Sequence, residues 1–305
     1  MIYSEQKNAN DTVANQYIRT DLAAECPMDE EDGELKGIIF TQSEHGIVTT
    51  SRLEVTDERG SELIGKPVGN YVTLSFPRLW LESDQAVEGV RAAVAAEIRK
   101  LADALAPKRE TVLIAGLGNR RITADAIGPQ AAEMVTVTRH IKVHDRGLFD
   151  QIGGPEVACL VPGVSGETGI ETVELIKPAV DTVRPQLVIV IDALAARSPD
   201  RLATTVQITD TGISPGSGVG NNRRPINRES IGVPVIAVGV PTVVDSSTLV
   251  YDALEKAGIE EVPDSLRQVL ENGRGFFVSI KESDVAVKEL SGLVSGAIDQ
   301  ALAVV

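Results

Sequence analysis

The chain has 305 residues, of which 43% are hydrophobic and 24% charged. This is the composition of a globular protein with a sizeable core, and it argues against a disordered or fibrous chain. The 29 basic and 44 acidic side chains give a formal net charge of −15 at pH 7. A surface this acidic repels phosphate groups, so we expect no binding to nucleic acid or to an anionic membrane.

Residues 1 to about 34 are polar and acidic, which predicts a tail with little apolar surface to bury. The opening MIYSEQKNAN has neither the basic nor the apolar region of a signal peptide, so export is not expected. Cys26 and Cys159 are the two cysteines and lie far apart in the chain, which indicates neither a disulfide framework nor a zinc cluster. A reducing, cytoplasmic environment fits this pattern.

Three β-branched runs follow at residues 37–41, 47–55 and 71–76, separated by turn residues. They predict a small antiparallel β layer within residues 35–77. Next, residues 84–105 carry apolar side chains at spacings of three and four, after the capping candidates Ser83 and Asp84 and before Pro107. This spacing predicts an amphipathic helix.

From residue 111 onward, apolar strands alternate with helical segments. Strands are predicted at 111–116, 157–161, 187–192, 204–209, 234–240 and 276–280, and helices near 124–134, 170–183, 246–257 and 285–298. Strands that are apolar on both faces and alternate with helices indicate an α/β fold, with a mostly parallel sheet covered on both sides. Ligands of such sheets bind beyond the carboxyl ends of the strands. No apolar run is long enough to predict a membrane helix.

The first candidate site is Gly116-Leu117-Gly118-Asn119, directly after a predicted strand. It resembles the opening of a dinucleotide-binding fingerprint, but Arg121 stands where the third glycine is required. A tight turn whose glycines need positive φ is the simpler interpretation. A nucleotide site is kept as an alternative.

Two aspartates are candidates for acid–base chemistry. Thr123 is a predicted N-cap, and Asp125 follows in the first helical turn, where it could also serve only the helix dipole. Asp192 ends an apolar strand, where burial of a charge is costly without a partner; a salt bridge to Arg197 is the structural alternative. If the two carboxyl groups converge, one would be ionised and activate water while the other donates a proton. Such a pair can hydrolyse an amide without a metal.

Two irregular segments are candidates for binding a carbonyl oxygen or an anion through backbone amides. Residues 162–169 lie between a strand and a helix, and residues 210–222 form a glycine-rich loop of a kind that is usually functional. The candidate residues in these segments are Gly163, Ser165, Gly166, Glu167, Gly216, Ser217 and Gly218. Asp245 is interpreted as an N-cap. His140 and His144 could bind a metal together with a carboxylate, although solvent-exposed or capping histidines are more common.

Several motifs, taken in order, closely resemble those of the spore germination proteases, endopeptidases that degrade small acid-soluble spore proteins. The motifs are RTDLAAE, GLGN with TADAIGP, PGVSGETGIET, VIDALAARS, DTGISPGSGVGNNR and GVPVIAVGVPTVVD. The resemblance implies an aspartic-type endopeptidase with a three-layer α/β/α core like that of hydrogenase maturation proteases. The two essential aspartates of the family fall on Asp125 and Asp192. No metal or other cofactor is implied.

The resemblance also implies a zymogen that is cleaved between Asp21 and Leu22. Residues 1–21 would be the propeptide and 22–305 a single peptidase domain. The segment Arg19–Glu25 is similar to the cleavage sequence of the substrate, with an acidic residue before the bond and another after it. The family assembles as a homotetramer and acts in the cytoplasm of the spore. In this sequence, Ala124 and Ser165 replace the family's usual Pro and Met, and Glu167 is an added carboxylate.

Two other functions are kept as alternatives. A metal-dependent maturation endopeptidase would require His140 or His144 close to Asp125. A non-catalytic nucleotide- or anion-binding protein would use the glycine-rich loops instead.

Overall fold

The computed structural model describes residues 18–26, 37–217, 223–259, 262–272 and 276–304. Of the predicted tail at residues 1 to about 34, residues 1–17 and 27–34 lie outside the described residues, as does the candidate Gly218. The strands within these ranges are β1 (Ile38–His45), β2 (Val48–Val55), β3 (Gly69–Ser75), β4 (Thr111–Gly116), β5 (Glu156–Leu160), β6 (Leu187–Ala196), β7 (Thr205–Thr209), β8 (Val235–Asp245) and β9 (Phe277–Val278).

These strands form one mixed sheet in the order β1-β2-β3-β7-β8-β6-β4-β5, and β9 pairs with β8. The strands β5, β4, β6 and β8 are mutually parallel, as the alternation of strands and helices predicts. The antiparallel strands β1 to β3 are present, but they are not a separate layer. They continue the same sheet, because β3 pairs with β7 from Tyr71↔Thr209 to Ser75↔Thr205 and β7 pairs with β8.

The helices are α1 (Glu58–Ile64), α2 (Asp84–Leu105), α3 (Ile127–Met134), α4 (Arg139–His144), α5 (Arg146–Ile152), α6 (Ser165–Thr168), α7 (Thr172–Val183), α8 (Arg228–Ile231), α9 (Ser246–Lys256), α10 (Asp264–Asn272) and α11 (Ser283–Leu302). Helix α2 has the predicted bounds, and its N-cap is Ser83, whose hydroxyl accepts from the Ala86 amide at 3.3 Å. None of the described helices is both long and apolar enough to span a bilayer.

Helices cover both faces of the sheet, which confirms the three-layer α/β/α prediction. Helices α2, α3 and α11 pack on one face against buried side chains such as Ile114, Ile189 and Ile236. Helices α7 and α8 pack on the other face against Leu113 and Val190. Because successive side chains of a strand point to opposite faces and both faces are covered, β4 is apolar after Thr111, and β6 is apolar from Leu187 to Ile191.

Strand β6 is longer than the sequence predicts. Asp192 is not its last residue, since β6 continues to Ala196 and stays paired with β8, with a shift in register between Leu194 and Ala195. On its other side, however, β6 loses its partner, because β4 ends at Gly116 opposite Ile191. Asp192 therefore lies within a strand but just beyond the end of the neighbouring one, at the carboxyl edge where ligands of parallel sheets bind.

Two glycines bring the start of α3 against the ends of β4 and β6. A Cβ atom on Gly128 would lie 2.1 Å from the Leu117 carbonyl oxygen and 2.5 Å from that of Ile191. A Cβ on Gly116 would lie 2.2 Å from the Gly128 carbonyl oxygen. Gly116 is thus required by close packing. The predicted positive φ is found at Gly118, where φ is +113°.

Candidate active site

Asp125 ends a short 3₁₀ turn (Thr123–Asp125) that precedes α3. The turn is tied to β8, because the Thr242 hydroxyl donates to the Ala124 carbonyl at 2.5 Å. The Asn119 amide donates to Asp125 Oδ2 at 2.7 Å, and Gly118 packs so closely that a Cβ there would lie 2.1 Å from the Asp125 carbonyl oxygen. The prediction of Thr123 as a helix N-cap is wrong, since its hydroxyl donates instead to Asp284 in α11. These contacts fix Asp125 above the sheet edge.

Asp192 is 6% exposed, and its Oδ1 accepts a hydrogen bond from the Ala193 amide at 2.9 Å. The salt bridge to Arg197, which was the structural alternative for this residue, is not formed. Arg197 pairs with Asp252 at 2.8 Å and with Glu255 in α9. Asp192 is thus buried, and among the described residues it forms no salt bridge; the charge of Arg223 acts on it only from nearby.

Asp125 and Asp192 line the same cavity, which has a volume of about 500 Å³. Burial raises the pKa of Asp192 well above its usual value, and the nearby charges of Asp125 and Asp21 raise it further. Burial also raises the pKa of Asp125, while the Asn119 amide and the charge of Arg223 act in the opposite direction. Two carboxyl groups that line one cavity and both have raised pKa values are candidates for an acid–base pair.

A third carboxylate, Asp21, reaches this cavity from the N-terminal segment 18–26. Its amide donates to the Ala195 carbonyl at 2.9 Å, and its carboxylate accepts from the Ala195 amide at 2.9 Å and from the Ser217 hydroxyl at 2.6 Å. The next two residues, Leu22 and Ala23, are both 0% exposed. The expectation of a tail with little to bury is therefore wrong for this segment, which is docked beside the carboxyl pair.

The docked segment is held at several points between Asp21 and Glu25. The Asp21 carbonyl oxygen accepts from Lys66 Nζ at 3.2 Å and from Gln207 Nε2 at 3.1 Å. Four residues later, the Glu25 carboxylate accepts from the amides of Arg197 at 2.7 Å and Ser198 at 3.0 Å. Leu22 packs in an apolar cluster that includes Leu194 and Val244. The protein thus contacts the backbone, the acidic groups and the apolar side chain of this segment.

The predicted amide-bearing segments surround the cavity unevenly. From the 162–169 turn only Val164 lines the cavity. Gly163 has a φ of +72°, and the Ser165 hydroxyl accepts a hydrogen bond from Arg223. Gly166 and Glu167 lie in α6. Glu167 pairs with Arg121 at 3.7 Å. From the glycine-rich loop, Gly216 lines the cavity and Ser217 bonds to Asp21. Their role in binding a carbonyl oxygen remains a prediction.

The histidines lie away from the carboxyl pair. His140 and His144 are on α4 and do not line the cavity. In the described ranges, no cluster of three or more His, Cys, Asp or Glu residues could hold a metal ion. Asp245 is the N-cap of α9, as predicted, and accepts from the Thr248 amide at 2.9 Å.

Sequence reasoning missed several groups at this site. Arg223 lines the cavity, and its charge acts on both aspartates. It is the last residue of the DTGISPGSGVGNNR motif, and the sequence alone suggested no role for it. Lys66 and Gln207 lie in segments with no motif, and only the folded chain brings them to Asp21. Asp21 was predicted as a cleavage position, and no sequence signal places its carboxylate beside Asp192.

Comparisons with known proteins identify relatives along most of the chain. The profile of the germination protease family matches residues 13–258. The chain is 42% identical to the germination protease of Caldanaerobacter subterraneus subsp. tengcongensis, over 93% of this chain and 94% of that protein. It is 44% identical to the germination protease of Bacillus subtilis, over 79% of this chain and 67% of that protein.

Among solved structures, the [NiFe] hydrogenase maturation protease HycI from Thermococcus kodakarensis aligns with a TM-score of 0.36 at 16% identity, over 65% of this chain and 99% of that chain. A score this low supports no inference about the site.

Proposed function

This chain belongs to the germination protease family and is an endopeptidase of spore germination, and we propose that it cleaves peptide bonds with the carboxyl pair Asp125 and Asp192. The observation that supports this assignment is the shared cavity, in which both carboxyl groups have raised pKa values. Neither the metal-dependent nor the nucleotide-binding alternative is favoured by the relatives.

The two aspartates have different surroundings, which supports different roles. Asp192 is buried and lies near two other carboxylates, so it holds the shared proton and acts as the general acid. Asp125 is less buried and accepts the Asn119 amide, which favours its ionised form, so it acts as the general base for water. Because the groups interact, the two titration steps belong to the pair as a whole.

The substrates we propose are small acid-soluble spore proteins, together with the enzyme's own bond between Asp21 and Leu22. The docked segment supports the second substrate, because Asp21, which precedes this bond, lines the cavity of the carboxyl pair. Residues 1–21 are then a propeptide, residues 22–305 the peptidase domain, and the enzyme is made as a zymogen. Its place of action would be the cytoplasm of the spore.

We also propose a homotetramer. Strand β1 ends the described sheet and exposes apolar side chains, with Ile39 53% and Phe40 39% exposed. An open edge strand of this kind readily pairs with another chain. Family membership supports the same assembly.

Self-processing tests the proposed function directly. The purified full chain, incubated at mildly acid pH, should lose its N-terminal segment and acquire a new terminus at Leu22, because one carboxyl group of the pair is then still protonated. N-terminal sequencing and intact mass measure this. A chain that keeps Met1 and also leaves a free RTDLAAE peptide intact would contradict the assignment.

The raised pKa values predict a bell-shaped pH dependence. As the pH rises through the raised pKa of Asp192, the general acid loses its proton and the rate falls; at low pH the general base becomes protonated and the rate falls again. The maximum should therefore lie at mildly acid pH. The measurement is kcat/KM for an RTDLAAE peptide between about pH 4 and pH 9. A rate that keeps rising into the alkaline range would contradict a shared-proton pair.

A further inference from the structure

We propose that Lys66 and Gln207 form the oxyanion site of this peptidase. The inference rests on the proposed function, since it takes the bond between Asp21 and Leu22 as a substrate. Both side chains donate to the Asp21 carbonyl oxygen, at 3.2 Å and 3.1 Å. This oxygen belongs to the bond that is to be cleaved, and it acquires negative charge when water adds to the carbonyl carbon.

Gln207 is held rigidly for this task. It is 6% exposed, and its strand β7 is paired on both sides, with Thr73 of β3 and Gly239 of β8 opposite Gln207. Its Oε1 accepts the Ala23 amide at 2.7 Å while its Nε2 donates to the Asp21 carbonyl. Because an amide N–H only donates and a carbonyl only accepts, these partners fix the orientation of the side-chain amide. Gln207 therefore bonds to the backbone on both sides of the scissile bond.

Lys66 contributes a positive charge. It follows Gly65, which ends α1 in the left-handed conformation with φ +65°. Its Nζ donates to the carbonyl oxygens of Thr20 and Asp21, at 3.2 Å each. A hydrogen bond from a cation to an oxygen that becomes anionic strengthens as the charge develops, so it stabilises the transition state more than the bound peptide.

The positions of two cavities agree with this division of roles. Asp125 and Asp192 line one cavity, whereas Lys66 and Gln207 line a second cavity of about 360 Å³. Asp21 and Leu194 line both cavities, so Asp21 is shared between the cavity of the carboxyl groups and that of the two donors. When water activated by the carboxyl pair adds to the Asp21 carbonyl carbon, the negative charge would develop on the Asp21 carbonyl oxygen, which Lys66 and Gln207 contact.

The reaction balances as an ordinary hydrolysis. The oxygen of water bonds to the Asp21 carbonyl carbon, one proton of the water passes to Asp125, and the carbonyl oxygen becomes an oxyanion held by Lys66 and Gln207. Collapse of this intermediate breaks the C–N bond, and Asp192 gives its proton to the Leu22 nitrogen. The products are a carboxyl group on Asp21 and an amino group on Leu22, and proton transfer between the aspartates restores the pair.

The test is the rate of self-processing in Lys66→Met and Gln207→Met variants of the full chain. Loss of one oxyanion donor should slow the appearance of the Leu22 terminus by about 10²-fold. On a free RTDLAAE peptide, the loss in Lys66→Met should fall more on kcat than on KM, whereas Gln207→Met should also raise KM because it removes the bond to the Ala23 amide. Lys66→Arg should restore part of the rate because it keeps the charge, and Lys108→Met, at an exposed lysine, is the matched control.

Hydrogen exchange of the Ala23 amide separates catalysis from simple docking, because this amide donates to Gln207 and not to Lys66. In Lys66→Met its protection should stay as in the parent chain while the processing rate falls. A Lys66→Met chain that processes at the parent rate, or that loses protection in proportion to its rate, would overturn the oxyanion role. If the parent chain itself produced no Leu22 terminus and cleaved no peptide, the proposed function would fail first.

Discussion

An Asp192→Asn variant should lose at least about 10³-fold of the peptidase activity, because asparagine keeps the shape of the side chain but has no acidic proton to give to the leaving nitrogen. The measurement is kcat/KM on an RTDLAAE peptide together with the rate of self-processing. Asp181→Asn, at an exposed position of α7, is the matched control and should keep full activity. Full activity in the Asp192 variant would rule out the carboxyl-pair mechanism.

The same variant should not be less stable at neutral pH. The pKa of Asp192 is raised in the folded state, so its contribution to stability is complete below the usual pKa of 3.8 and is lost as the pH rises through the raised value. Asparagine removes that dependence. Thermal unfolding at neutral pH should therefore give a Tm at or above that of the parent chain. A lower Tm would mean that the variant lost activity because its fold is destabilised.

Gly128→Ala should be strongly destabilising and should also remove most activity. The added Cβ would meet two backbone carbonyl oxygens, of Leu117 and Ile191, that cannot move without disturbing β4 and β6. Overpacking of this kind lowers the free energy of unfolding by about 3 kcal/mol. It would also move the start of α3, and with it Asp125, away from Asp192. Denaturant unfolding and peptide cleavage measure the two effects.

Gly89→Ala provides the control for this substitution. Gly89 lies in α2 with open space around the position of its Cβ. Alanine there should raise the free energy of unfolding by about 0.5–1 kcal/mol, because glycine is a poor helix former. Equal effects at Gly89 and Gly128 would mean that the close approach of α3 to the sheet does not position Asp125.

The parts of the fold that follow from neighbouring residues could be predicted from the sequence. The periodicity and caps of residues 84–105 give α2 its bounds, and the apolar run 111–116 gives β4. Asp125 and Asp192 could be placed at one edge of the sheet because parallel strands share their carboxyl ends. The extension of β6 past Asp192 could not be predicted, since it depends on its pairing with β8.

Contacts between distant residues account for the rest. The pairing of β3 with β7 joins residues 130 to 138 positions apart, and no local pattern distinguishes it from a separate β layer. The docking of Asp21 against Ala195 is similarly long-range. Composition alone predicts that Asp21 lies in a solvated tail. Because the segment is docked, the charge of Asp21 instead raises the pKa of Asp192.

Several contacts of the docked segment lie after the bond that we propose is cut. Leu22, the amide of Ala23 and the carboxylate of Glu25 all belong to the part that remains covalently attached to the enzyme. Processing alone would therefore leave the newly formed terminus in place as a tethered product. Turnover on other proteins would begin only when this terminus dissociates, so maturation would comprise a chemical step followed by a slower release, visible as a lag in progress curves.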